Sequence, residues 1–268
     1  MVDGDVAENM NRLYYRGLAG YDPDDDEALL SLLIWELKSV EDNKDTESEL
    51  KWIYAIDPSY IPELLEGYRD EALNEDVKRT FFESSSIDKA KEAALDECGF
   101  SPAHTESKDI EVTLDECKRM SIAKKQAPPY VQSVISLGNQ AFYQGLMNIL
   151  FKYENPALED LSYLPKGWYE QTISCYTKTD GKVTGFLLIH ATPSGVLVPV
   201  LFFAVGADSR INLIEMLRFS INRAAKVYPG NTIVRIHRRN PEVKALTAKL
   251  FPDKKGSPAI AGERSEAF

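Results

Sequence analysis

Apolar residues along this 268-residue chain fall into short runs of strand character and longer stretches at helical spacing, punctuated by acidic turns and by turns bearing proline or glycine. Residues 28–40, ALLSLLIWELKSV, are apolar and branched enough for a buried strand, with a helix as the other reading. An acidic turn leads to 50–56, LKWIYAI, whose aromatic and branched side chains predict a second strand and complete a hairpin. Pro62 stands where a first helical turn tolerates proline, and Leu64, Leu65, Tyr68 and Leu73 share one face beyond it, which predicts a helix over 61–74. Residues 77–83 read as a strand and 88–98 as a helix stopped by Gly99. Two short strands follow around 100–115, the second being DIEVTL.

Residues 118–129, KRMSIAKKQAPP, are basic and end in two prolines, a composition that joins domains. The boundary is placed there, with a first domain over 1–117, a second over 130–255 and a flexible tail over 256–268. In the second domain 130–137 alternates as a strand. Residues 141–153 carry Phe142, Leu146, Ile149 and Leu150 on a helical stripe, and 157–164 reads as another helix. A three-stranded antiparallel meander is expected over 172–177, 183–191 and 196–205, turned at Asp180-Gly181 and Ser194-Gly195. Apolar side chains at 211, 214, 217, 221, 224 and 225 make 210–228 an amphipathic helix closed by Pro229-Gly230; a strand over 232–237 and a helix over 242–251 follow.

The length accommodates two ordinary cores, and 44% hydrophobic with 27% charged residues is the balance of a folded globular chain. Three cysteines, Cys98, Cys117 and Cys175, show no C-x-x-C spacing, so neither a disulfide framework nor a metal site is expected, and Cys175 reads as a buried core thiol. The N-terminal stretch MVDGDVAENMNRL has no apolar signal core, and no apolar run approaches the roughly 20 residues that cross a bilayer. The expectation is a cytoplasmic protein without membrane contact. The net charge of −11 is uneven: residues 1–117 hold 31 acidic against 11 basic side chains, and 118–268 hold 11 against 20. Either the oppositely charged halves attract one another, or the basic half meets an anionic ligand, or the acidic segments are solvated turns. Overall acidity and the lack of an RNA or DNA motif argue against a nucleic-acid partner.

The order strand, two helices, three strands, helix, strand, helix over about 125–252, with VGADSRINLIEMLRF at 205–219 and RRNPEVKALTAKLF at 238–251, resembles the GNAT acetyltransferase superfamily. IDPSY at 56–60 is similar to the end of that family's fourth strand. DKAKEAALDECGF at 88–100 followed by ESKDIEVTL is similar to its closing helix, Gly-Phe pair and final strands. The resemblance implies an α/β (α+β) fold of two GNAT-like mixed sheets flanked by helices, in tandem. The first half lacks the family's opening strand and helices, and the second its closing strands. Two incomplete halves either complete each other's sheet, covering unpaired edges, or stand as two tethered sheets.

The function so implied is transfer of an acyl group from acetyl-CoA or another acyl-CoA to an amine, without a metal. Val205 and Arg210 fall on the family's valine and arginine of the CoA loop and Asn240 on the asparagine that opens its last helix. With Phe203 they are the cofactor-binding candidates, and the backbone N–H of Val205 or a neighbour is the oxyanion donor. Where the family carries glycines this chain has Ile211, Leu213 and Glu215. The first half has Ile61, Pro62, Glu63 and Leu64 there, and no cofactor is expected to bind it. The family's tyrosine acid aligns with Leu95 and Thr247, which leaves His190 and His237 as acid/base candidates, each also readable as a structural strand histidine. Arg235 and Arg239 alternate with His237 on one strand face and are candidates for an anionic substrate group, or for a solvated edge pairing with the acidic half. The second functional reading is a catalytically inactive relative that serves as a ligand-binding or protein-interaction module. The partner is then a small-molecule amine or a protein, and the oligomeric state stays open.

Overall fold

A computed structural model describes residues 2–39, 46–85, 87–153, 159–238 and 241–265. The chain forms two units, Met1–Ser107 with Ser257–Phe268, and Lys108–Gly256. The division falls at 107/108 and not in the basic 118–129 stretch. That stretch begins inside a helix, α4 (Leu114–Arg119), and continues as a 3-10 turn over Ser121–Lys124. A capping box fixes it, since Thr113 and Glu116 satisfy each other's backbone N–H groups.

Unit 1 contains α1 (Gly4–Asn9), β1 (Tyr15–Asp22), β2 (Asp25–Ser39), β3 (Thr46–Ala55), α2 (Ile61–Asn74), β4 (Val77–Ser84), α3 (Lys89–Glu97), β5 (Ala103–Glu106) and β12 (Pro258–Ser265). Its six-stranded sheet has the order β1-β2-β3-β4-β12-β5, antiparallel except for β3 and β4. The expected flexible tail is therefore an interior strand. β12 pairs with β4 from Ile260 to Ser265 on one side and with β5 on the other. Gly262 lets it approach, because a Cβ there would stand 2.5 Å from the Phe100 carbonyl oxygen. Alternation missed this strand because GERS has little β-propensity of its own. It missed β1 for the same reason, with Gly17 and Gly20 interrupting the pattern.

One face of this sheet buries Leu33, Trp35, Leu37 and Leu50 under Leu64, Leu65 and Tyr68 of α2 and Leu95 of α3. The Tyr68 ring lies 5.1 Å from Trp35, and its hydroxyl donates to Ser48 Oγ at 2.6 Å. The other face carries charge. The ammonium groups of Lys38 and Lys51 each bridge the carboxylates of Glu36 and Glu49, a square of paired charges whose Glu36 is also reached by Arg12 at 4.0 Å.

Unit 2 contains β6 (Asp109–Thr113), α4, β7 (Gln132–Ser133), α5 (Asn139–Tyr153), α6 (Glu159–Tyr163), β8 (Cys175–Thr179), β9 (Lys182–Ala191), β10 (Leu197–Ala204), α7 (Ser209–Val227), β11 (Ile233–His237) and α8 (Pro241–Leu250). The sheet order is β6-β11-β10-β9-β8-β7, antiparallel except for β10 and β11. DIEVTL, expected to close the first half, instead pairs with β11 over Asp109–Thr113, and its Leu114 opens α4. The strand expected over 130–137 shrinks to β7, because Val134–Ser136 closes into a 3-10 turn that Ser133 caps by accepting from the Ile135 N–H. Each sheet is thus completed by a strand from the other half of the sequence.

Phe142, Leu146 and Ile149 of α5 pack on Tyr176, Phe186, Leu188 and Leu201 on one face of the sheet. On the opposite face Met216, Ile221 and Ala224 of α7 pack on Leu187, Ile189 and Leu197. The buried stripe of α7 is Asn212, Met216, Ser220, Ile221 and Ala224, whereas Ile211 and Ile214, expected inside, are 55% and 45% exposed. Ser220 is satisfied: it donates to the Ile173 carbonyl at 2.7 Å and stands 3.5 Å from the buried Cys175 thiol. Burial pushes that thiol up to about 12. Among the described residues no helix is long and apolar enough to cross a membrane, and no group of three or more His, Cys, Asp and Glu could hold a metal ion.

Candidate functional site

The parallel pair β10–β11 is joined at one register position only, Leu197 opposite Val234. Beyond it the strands part: β10 stays with β9 as far as Ala204, and β11 stays with β6 as far as His237. A wedge therefore opens between them toward their C-terminal ends, with backbone groups on both walls left without a strand partner.

Alternation decides which groups these are. The Val205 N–H donates to the Thr184 carbonyl at 2.8 Å, so the amides of Val205 and Phe203 point to β9, and those of Phe202 and Ala204 point into the wedge. The expected oxyanion donor is taken, and its neighbour Ala204 is the one that faces the opening. Phe203 packs its side chain against the α5 cluster. On the other wall, Leu114 N–H to Thr232 O at 2.9 Å and Arg238 N–H to Lys108 O at 3.2 Å turn the even-numbered residues of β11 toward β6. The backbone of His237 then faces the wedge.

At the mouth, β10 runs through Gly206 into α7. Gly206 has φ +93°, and a Cβ there would meet nothing within 4 Å. Asp208 occupies the N-cap position of α7 without making a capping hydrogen bond, and no acidic residue stands in the first turn. An uncapped helix N-terminus presents N–H groups and a partial positive charge, which suits a phosphate. Arg210 is exposed in this first turn. Glu215, read from the sequence as an unfavourable negative charge, is one turn farther on and bonded to Arg218, which also donates to the Ile122 carbonyl at 2.8 Å. Its charge is neutralised within the fold.

The remaining sequence candidates separate. His190 lies opposite Val198, at the closed end of the wedge. The residue is 5% exposed, its ring stacks on Trp168 at 3.7 Å, and Nδ1 lies 2.8 Å from the Trp168 carbonyl oxygen, a structural placement. His237 ends β11 with its side chain 39% exposed and Nδ1 2.8 Å from Asp109 Oδ2. Arg235, on the same face, pairs with Glu111 at 2.9 Å. Arg239 and Asn240 lie outside the described residues. Leu95 is fully buried, and the Thr247 hydroxyl donates to the Val243 carbonyl at 2.8 Å, so neither position offers a proton donor to the wedge. Asp109 and Glu111 were missed by the sequence reading, which placed their strand in the other half; the signal that could have found them is their period-two spacing, matching Arg235 and His237.

Unit 1 repeats the geometry without the opening chemistry. β3 and β4 pair in parallel as far as Leu50 and Phe82, and β3 then continues to Ala55 alone on that side. At the turn that follows, Asp57 accepts from the Ser59 N–H at 2.9 Å, and Pro62 stands in the first turn of α2. That backbone bond holds the Asp57 carboxyl below its ordinary range. Asp57 thus caps the 3-10 turn Pro58–Tyr60 that precedes α2; α2 itself has no side-chain cap, but Pro62 removes an N–H from its first turn and Glu63 adds a negative charge there.

No family model and no curated protein matches the chain. Solved structures do. Over all of its length it superposes on a tandem GNAT protein from the clavulanic acid biosynthesis pathway, with a TM-score of 0.57 and 11% identity, covering 89% of that chain. It matches a GCN5-related N-acetyltransferase from Kribbella flavida at a TM-score of 0.53 and 13% identity, over 88% of this chain and 87% of that one. It spans 60% of a conserved Enterococcus faecalis protein, with 90% of this chain covered, 10% identity and a TM-score of 0.48. At such identities the likeness shows the fold: mixed α/β sheets of the GNAT type, in tandem.

Proposed function

We propose that this protein is an N-acyltransferase of GNAT type in which unit 2 binds acetyl-CoA or another acyl-CoA and unit 1 does not. The observation that carries the reading is the β10–β11 wedge opening onto an uncapped α7 N-terminus. The residues present fit the cofactor: the exposed Arg210 and the first-turn amides of α7 suit the pyrophosphate, and the space beside Gly206 admits it. Asn240 and Val205 belong to this reading through the family pattern. Bound acyl-CoA supplies an activated thioester carbonyl. The Ala204 amide is the donor available to hold the developing oxyanion, and His237 is the base available to take the proton of an attacking amine. Arg235, held by Glu111 beside His237, belongs to this reading as a contact for an anionic group of the acceptor, and Arg239 belongs to it through the sequence pattern alone. His190, stacked on Trp168 and bonded to its carbonyl, supports the strand.

The experiment is a calorimetric titration of the purified protein with acetyl-CoA and with free CoA, alongside Arg210→Glu. Binding in the micromolar range that weakens at least about tenfold in the variant supports the reading and justifies a screen of amine acceptors. No heat at millimolar ligand removes the cofactor assignment.

A further inference from the structure

β6 sets two carboxylates directly across from the polar side chains of β11, Glu111 opposite Arg235 and Asp109 opposite His237. Glu111 and Arg235 neutralise one another at 2.9 Å. Asp109 is then the carboxylate that His237 meets. His237 Nδ1 is shut from solvent and lies 2.8 Å from Asp109 Oδ2, although ring and carboxylate are not yet aligned as a hydrogen bond. With Nδ1 enclosed, Nε2 is the nitrogen left to exchange a proton with a ligand.

From this geometry we infer that Asp109 is a positioning residue: it selects the Nδ1–H tautomer of His237 and so leaves the Nε2 lone pair ready to accept a proton. The reason is electrostatic. A ring carrying its proton on Nε2 would set the Nδ1 lone pair against a carboxylate oxygen at contact distance, whereas the other tautomer converts that repulsion into a hydrogen bond. When the acceptor amine gives its proton to Nε2, no other bond of the ring changes, and the imidazolium gains a charge-assisted bond to Asp109. Such contacts are often poorly aligned before ligand binds and tighten with it. The catalytic half of the inference rests on the acyl-transfer reading; the tautomer does not.

The test is ¹⁵N NMR of the imidazole nitrogens, which is tractable because the chain has three histidines. Two serve as references: His190, whose Nδ1 faces a carbonyl oxygen, and His104, which is exposed on β5. With the rings neutral, His237 is expected to match His190 in the native protein and to match His104 in Asp109→Ala, with the His190 signals unmoved as the sign of an intact fold. A native His237 that matches His104, or one unchanged in Asp109→Ala, overturns the inference whether or not acyl transfer occurs. With an acceptor in hand, Asp109→Ala lowers kcat by about ten- to a hundredfold at unchanged KM for acyl-CoA, and Asp109→Glu recovers part of it. A tautomer that shifts while kcat stays native overturns the catalytic half alone. A protein that transfers no acyl group at all removes the acyl-transfer reading and leaves the tautomer result standing.

Discussion

The two units solve one topology with opposite outcomes at the same turn. In unit 2 the strand that leaves its parallel neighbour runs into α7 through Gly206, an unengaged Asp208 and an exposed Arg210. In unit 1 the equivalent strand, β3, runs into Asp57, which binds the chain's own Ser59 amide, and then into Pro62. Opening a sheet is therefore not enough to make an anion site. In this reading the first turn of the helix that follows decides: α7 has no acidic residue or proline there, whereas in α2 Pro62 lacks an N–H and Glu63 adds a negative charge. Unit 1 puts its charge elsewhere, in the Lys38–Glu49–Lys51–Glu36 square, where every member is matched.

The largest effect should come from removing residues 257–268. Unit 1 then loses the strand between β4 and β5, which is expected to abolish its cooperative folding, a loss on the scale of a whole domain's stability of about 5–15 kcal/mol. Hydrogen exchange should show β2–β4 amides unprotected while those of β8–β10 stay protected; equal loss in both units would break the contrast. Gly262→Val is milder. The added side chain meets the Phe100 carbonyl, at an expected cost of about 1–3 kcal/mol in denaturant melts, read through the unit 1 signals. Tyr68→Phe leaves Ser48 without its buried partner and should cost about 1–2 kcal/mol by the same measurement, with no change in ligand binding by unit 2.

The smallest effect belongs to Glu116. The Lys254 ammonium and then the Thr113 amide hold its carboxyl down to about 2, from an ordinary value of 4.5. A carboxyl depressed in the folded state stabilises the fold above 4.5, and that contribution fades as pH falls toward 2. Because the pair is partly solvated, Glu116→Gln should flatten the acid limb of stability by about 0.5 kcal/mol or less. An unchanged slope between pH 4.5 and 2 in urea titrations would count against this linkage.

Much of this was legible along the chain where local pattern and tertiary role agree. The β2–β3 hairpin, α2, α3, the β8–β10 meander and α7 follow from periodicity and turn residues, and the Gly206–Arg210 loop from a family resemblance. What failed to show were elements whose role comes from distant partners. β12 and β6 read as a tail and as a strand of the wrong half, since sequence pattern identifies a strand but not the sheet edge it joins. α7 buries Asn212 and Ser220 in place of Ile211 and Ile214, and the Ser220 hydroxyl is satisfied there by the Ile173 carbonyl, a partner that sequence periodicity does not reveal. His190 and His237 looked alike as strand histidines. Only the fold separates a ring stacked under Trp168 from one beside a carboxylate at an open strand end.

The central claim, one anion-binding turn in two matching units, is tested most directly by backbone amide NMR during a CoA titration. The account predicts saturation at one equivalent, with the amides of 206–212 shifting and those of 57–63 unmoved. Shifts at 57–63, or none at 206–212 under saturating ligand, would contradict it.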